Sequence, residues 1–211
     1  MILYAITDRH QLPGSDKVAA VEDFVSRAAR SGIDYIQLRE KDLCSRELEH
    51  LALRCMAQIG NAREEIGSRT KLLINSRADI AIACGADGVH LRSRSSGEIS
   101  AADARAIFDR SGISHATIAV SCHNENEILL AESEGAEFAV LGPIFAKSDQ
   151  PGIGLEALRR VCSRKPAPMP VLALGGVALE NAYRCVETGA AGIAAIRLFQ
   201  NDLEAVVQSL G

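Results

Sequence analysis

The chain has 211 residues, 47% of them hydrophobic and 24% charged, the balance of one globular domain with a sizeable core. A net charge of −4 and 4% aromatic residues, with no tryptophan, exclude the basic, stacking surfaces that nucleic acids require. No apolar run approaches a bilayer's thickness. Six cysteines occur without a C-x-x-C pair or zinc-like spacing, so buried, reduced thiols are expected. The opening has no cationic leader, which adds to the expectation of a cytoplasmic location.

Strand-like and helix-like segments alternate along the chain. Residues 2–7 (ILYAIT) read as a strand stopped by Asp8 and Arg9, and 18–29 carries Val18, Val21, Phe24, Val25 and Ala28 at helical spacing. Gly32 is a candidate helix stop. Then follow a strand over 33–38, a helix over 45–59 with Leu48, Leu51, Leu53 and Met56, a strand over 72–75 and a short helix over 77–84. Strands over 88–91, 117–121, 138–142, 171–174 and 192–196 alternate with helices over 100–110, 125–134, 155–162, 179–187 and 203–210. The strands are continuous apolar runs, as in parallel sheets covered on both faces. Eight strand–helix units without a linker, and no G-x-G-x-x-G after the first strand, predict a single (β/α)₈ TIM barrel over 1–211, class α/β.

Barrels of this kind act at the C-terminal ends of their strands. Those ends carry Thr7 and Asp8, then Gln37, Arg39 and Lys41, then Asn75, Ser76 and Arg77, then His90, Arg92 and Arg94. Ser121 and His123 follow, then Gly142, Pro143, Phe145 and Lys147, then Gly175 and Gly176, and last Ile196 and Arg197. Cations dominate this rim of an acidic chain, which points to an anionic ligand. The Gly175–Gly176 pair stands where such barrels hold phosphate, although a glycine pair also serves a tight turn. His123 can exchange a proton near neutral pH. His90 lies within a strand and is expected to face the interior in a structural role.

Seven motifs in order resemble the thiamine phosphate synthase/TenI superfamily. They are Gln37-Leu38-Arg39-Glu40-Lys41, Leu73-Ile74-Asn75-Ser76-Arg77-Ala78-Asp79, Gly85-Ala86-Asp87-Gly88-Val89-His90-Leu91, Ser121-Cys122-His123, Gly142-Pro143-Ile144-Phe145, Ala173-Leu174-Gly175-Gly176-Val177 and Gly189-Ala190-Ala191-Gly192-Ile193-Ala194. The resemblance implies a small phosphorylated heterocyclic substrate. In the synthases, two aspartates hold Mg²⁺ on the pyrophosphate leaving group. Here Ser76 replaces the first, Arg92-Ser93-Arg94-Ser95 replaces the segment bearing the second, Lys147-Ser148-Asp149-Gln150 replaces T-x-T-K, and Arg197 replaces a serine.

These departures resemble the TenI branch, whose enzymes are thiazole tautomerases, and they imply proton transfer on a thiazole carboxylate phosphate without a cofactor. Under that resemblance His123 is the general acid/base, and Arg39 and Lys41 hold the carboxylate. Gln37 and Asn75 orient the ring, and Gly175, Gly176, Ile196 and Arg197 hold the phosphate. A thiamine phosphate synthase with a rebuilt pyrophosphate site, then using Mg²⁺, is the first alternative. A non-catalytic ligand-binding or regulatory protein is the second. Apolar helix faces leave room for a homo-oligomer contact, and segments 93–99 and 146–153 are candidate lids.

Overall fold

In a computed structural model, residues 1–94, 97–146, 151–164 and 169–211 are described. Eight parallel strands close into a barrel in sequence order: β1 (Ile2–Ile6), β2 (Tyr35–Leu38), β3 (Lys71–Asn75), β4 (Gly88–Leu91), β5 (Thr117–Cys122), β6 (Phe138–Leu141), β7 (Val171–Leu174) and β8 (Gly192–Ala195). Tyr4 pairs with Tyr35 on one side and Ala194 on the other, so β1 closes the ring against β8. The helices between strands are α1 (Lys17–Arg30), α2 (Ser45–Ile66), α3 (Ala78–Ala83), α4 (Ala101–Arg110), α5 (Glu125–Ser133), α6 (Gly154–Cys162) and α7 (Leu179–Glu187). After β8 stand α8 (Arg197–Asn201) and α9 (Leu203–Leu210).

Period-two alternation explains why the strands look uniformly apolar. Tyr4, Ile6, Leu73, Ala119, Phe138, Val140, Leu172 and Ala194 fill the interior of the barrel. Their neighbours Leu3, Ala5, Leu72, Ile74, Ile118 and Ala139 instead pack against the helices. Tyr4 and Phe138 meet edge to face with ring centroids 5.6 Å apart, and Tyr35 lies 4.9 Å from Phe138. These rings plug the end of the barrel opposite the strand C-termini.

Three acids that stand just before a strand, at 34, 87 and 137, have a bonding task the sequence did not announce. Asp34 and Asp87 accept hydrogen bonds from the amides of Leu3 and Leu72, each at 2.8 Å, and Glu137 accepts from Ile118 at 2.5 Å. Each acid thereby satisfies the amide of the second residue of the preceding strand. Asp87 also holds Arg63 at 2.8 Å.

Several expectations need correction. Helix α2 runs to Ile66 rather than ending at 59, because Gly60 is tolerated in its interior and the stop is Gly67, at φ 67°. Leu53, assigned to its apolar face, is 46% exposed; the buried stripe instead runs through Leu48, Leu51, Ala52, Cys55, Ile59 and Ala62. All six cysteines are free thiols, but Cys44 is exposed and Cys162 only half-buried. The short helix α8 stands between β8 and the last predicted helix, so Arg197 opens a helix rather than closing a strand. The expected lids at 93–99 and 146–153 include residues 95–96 and 147–150, and those, with Ser95 and Lys147, lie outside the described residues.

Candidate active site

The same alternation places the polar residues at the barrel mouth. Gln37 shares its face of β2 with Arg39, Asn75 follows Leu73 on β3, and His90 follows Gly88 on β4. Ser121 follows Ala119 on β5, with His123 two residues on. Together with Lys41, Arg92, Ser93, Ile6, Leu174 and Ile196 these residues line a cavity of about 300 Å³. A second cavity of about 370 Å³ adjoins it, lined by Glu40, Lys41, Leu43, Leu48, Asn75, Ser76, Arg77 and Arg92. Lys41, Asn75 and Arg92 belong to both walls.

Arg39 is aimed by its backbone. Its amide donates to Thr7 Oγ1 at 2.9 Å, and that hydroxyl donates to Glu40 Oε1 at 2.6 Å. The Arg9 amide also donates to Glu40, and the Arg9 guanidinium forks onto Asp42 at 2.6 and 2.7 Å. Burial raises the Glu40 carboxyl pKa, against the lowering effect of Thr7 and Arg9. This network fixes the loop carrying Arg39 and Lys41 and leaves their own charged groups outside it. Among the described residues no ion pair includes either of them. The neighbouring Arg39 charge, then partial burial, then Arg92 lower the Lys41 pKa. Repulsion among three cations is what an anion would relieve.

Gln37 Nε2 donates to Asn75 Oδ1 at 2.8 Å, a pairing that leaves the Gln37 carbonyl and Asn75 amide for a ligand. His123 Nδ1 lies 2.8 Å from the Gly142 carbonyl. A carbonyl only accepts, so Nδ1 carries the proton and Nε2 of the neutral ring is left basic. The His123 amide donates to Glu127 at 2.8 Å.

Of the predicted site residues, Gln37, Arg39, Lys41, Asn75, His123 and Ile196 meet at the first cavity, and Gly142, Gly175, Gly176 and Arg197 do not line it. Gly142 reaches the site through its carbonyl on His123. Gly175 and Gly176 turn at φ 95° and 66°. A Cβ at Gly175 would stand 2.6 Å from Pro143, and one at Gly176 would stand 2.7 Å from Phe145. The pair is thus required by the turn's packing. His90 is enclosed, as expected, and bonds to Tyr4 and Ser121 at 2.9 and 2.7 Å.

The Mg²⁺ seat implied by the resemblance does not fit these residues. Ser76 sits at φ 58° with a buried, unpartnered hydroxyl oxygen and supplies no carboxylate. Glu40 is bound by Thr7 and Arg9, Asp79 by Arg77, and Glu98 by Arg92. Among the described residues no cluster of three or more acids, histidines or cysteines could hold a metal ion. Among them also, no helix is long and apolar enough to cross a membrane.

A family model described as thiamine monophosphate synthase matches residues 3–199. A putative thiamine-phosphate synthase of Geobacter sulfurreducens is 39% identical over 198 residues, 92% of this chain and 84% of that one. The thiamine-phosphate synthase of Caldanaerobacter subterraneus subsp. tengcongensis is 36% identical over 210 residues, covering 96% and 88% of the two chains. The crystal structure of thiamine phosphate pyrophosphorylase from Pyrococcus furiosus superposes with a TM-score of 0.78 at 28% identity, covering 100% of this chain and 97% of that one. These names speak for the coupling enzyme, the first alternative raised by the sequence, rather than for the tautomerase. The chain belongs to the thiamine monophosphate synthase (TMP-TENI) family.

Proposed function

We propose that this chain is an enzyme of thiamine biosynthesis that binds a phosphorylated thiazole at its barrel mouth and couples it to a pyrimidine pyrophosphate, releasing pyrophosphate. The observation that carries the reading is the pair of adjoining cavities meeting at Lys41, Asn75 and Arg92. A coupling enzyme needs room for two substrates and cations where their phosphates crowd together. The names of the relatives support the same reaction. The thiazole nitrogen attacks the exocyclic pyrimidine methylene as its bond to the pyrophosphate oxygen breaks, and the bonding electrons leave with pyrophosphate. Arg39, Lys41 and Arg92 are the groups this chain offers to that growing charge. Gln37 and Asn75 orient the pyrimidine edge, and Ile196, which lines the same cavity, stands beside the thiazole. No step is drawn through a metal ion. A cytoplasmic setting suits the free thiols.

A second reading, thiazole tautomerase, is supported by the missing carboxylates and by His123, whose free Nε2 is suited to moving a ring proton. One experiment separates the two. Purified protein is given thiazole phosphate and the pyrimidine pyrophosphate, and in a parallel reaction the unaromatised thiazole carboxylate phosphate, with NMR following both. Thiamine phosphate formation is the expected result. Its absence beside clean isomerisation would transfer the protein to the second reading.

A further inference from the structure

Three groups of the barrel interior form a chain that neither reaction requires. Tyr4 is fully buried at the barrel floor. Among the described residues its hydroxyl has one partner, His90 Nδ1, at 2.9 Å. The opposite ring nitrogen, Nε2, lies 2.7 Å from Ser121 Oγ. Ser121 lines the first cavity, half-buried.

The direction of these bonds follows from elementary bookkeeping. A buried hydroxyl must place its proton on an acceptor, or the full desolvation cost stands. Among the described residues the Tyr4 hydroxyl has only His90 Nδ1 available, so it donates and Nδ1 accepts. A neutral imidazole has one N–H, which must then sit on Nε2. Nε2 donates to Ser121 Oγ, and the serine keeps its own proton for a third party. A charged ring would break this order, since both nitrogens would donate and the tyrosine proton would have no acceptor. Burial, reinforced by Arg39, keeps the ring neutral, and burial, reinforced by Tyr35, keeps the tyrosine protonated.

We infer that Tyr4 is a positioning residue that fixes His90 in its Nε2–H tautomer and so commits the Ser121 hydroxyl to donate into the cavity. The proton made available there suits a hydrogen-bond acceptor on the ligand, an unprotonated ring nitrogen or an oxyanion. The bond order is a property of the ligand-free protein and does not depend on which reaction the site performs; only the choice of thiazole phosphate as probe rests on the proposed function.

The test begins with ¹⁵N-histidine-labelled protein at neutral pH, with His90 assigned by loss of its signals in His90→Gln. A pyridine-type Nδ1 and a pyrrole-type Nε2 are expected for His90, and the reverse pattern overturns the inference. Tyr4→Phe should bring the two shifts towards averaged values, since either tautomer then lacks a partner at Nδ1. Thiazole phosphate affinity follows by calorimetry. Ser121→Ala should bind about tenfold more weakly, the value of one hydrogen bond. Tyr4→Phe should weaken binding in the Ser121 protein and have no effect in the Ser121→Ala background. Equal loss in both backgrounds would reduce Tyr4 to packing. Failure of thiazole phosphate to bind wild-type protein would count against the proposed substrate, while the nitrogen shifts would still decide the tautomer.

Discussion

His90 makes acid stability a measurable consequence of the barrel interior. Burial first, and Arg39 second, push its pKa from 6.5 down to about 3. The unfolded chain therefore takes up this proton before the folded one does. The stability contributed by the neutral ring is complete above pH 6.5 and is lost as pH falls towards 3. Each pH unit inside that window costs about 1.4 kcal/mol, so roughly 2 kcal/mol has gone by about pH 5. That is a large share of a typical domain's margin. His90→Gln removes the titration and keeps a polar side chain. The variant should be less stable than wild type near neutral pH, where it loses the Tyr4 and Ser121 bonds. Its stability should then fall more gently on acidification, and the gap between the two proteins should narrow by about 2 kcal/mol between about pH 7.5 and about pH 5. Urea unfolding followed by circular dichroism at several pH values measures this directly. The remaining histidines are common to both proteins and cancel in the comparison. Parallel stability curves across the window would refute the premise that His90 is held neutral in the fold.

Gly175→Ala should destabilise by about 1–3 kcal/mol, since it combines a left-handed backbone with a backbone collision. Gly14→Ala shares nearly the same backbone angle, φ 92° against 95°, but opens onto free space; its thermal midpoint should fall less, and equal falls would show that the collision with Pro143 is relieved without cost. Inorganic pyrophosphate should bind the protein in EDTA, because the charge facing it belongs to Lys41, Arg39 and Arg92 rather than to a metal. Lys41→Met should weaken that binding and flatten its salt dependence. Calorimetry showing pyrophosphate bound only with added Mg²⁺ would contradict the cationic account.

Much of this architecture is readable in the sequence because a parallel barrel turns periodicity into position. Once β2 to β5 are recognised, parity alone sends Gln37, Asn75, His90 and Ser121 inward and sends Leu38, Ile74, Leu91 and Cys122 towards the helices. Strand ends then become a list of mouth residues, and the cluster at Arg39, Lys41 and Arg92 follows. What parity cannot supply is adjacency across the barrel. Tyr4 and His90 are 86 residues apart, on strands that are not neighbours, and only closure of the ring brings them together. Arg9 escaped notice for a related reason: its partners Glu40 and Asp42 belong to the next strand's loop, and a charged residue after a strand looks like ordinary solvation. The acids at 34, 87 and 137 each stand just before a strand, but their task of bonding the preceding strand's amides is a matter of register. Helix α8 was hidden by its five-residue length, below the reach of helical periodicity.

The departures at the mouth are mutually consistent. A divalent ion and an arginine can both neutralise an oxyanion, but they need opposite surroundings: the ion needs carboxylates, and the arginine is silenced by them. Ser76 is neutral where the resemblance implies a carboxylate, and its backbone amide donates to the His90 carbonyl at 2.8 Å. The strand exit is thereby kept while its charge is removed. Across the shared cavity wall Arg92 is paired with Glu98 at 3.3 Å, so among the described residues the unpaired charge beside it is that of Arg39 and Lys41. Had Ser76 remained acidic, the cations beside it would have had a partner within the protein and less charge to offer a ligand. With it neutral, the Lys41 pKa lies lowered between Arg39 and Arg92. That repulsion is tolerable only because the group is exposed, and it is returned when an anion binds. A neutral residue at 76 and unpaired cations at 39 and 41 are thus two halves of one electrostatic arrangement at the barrel mouth.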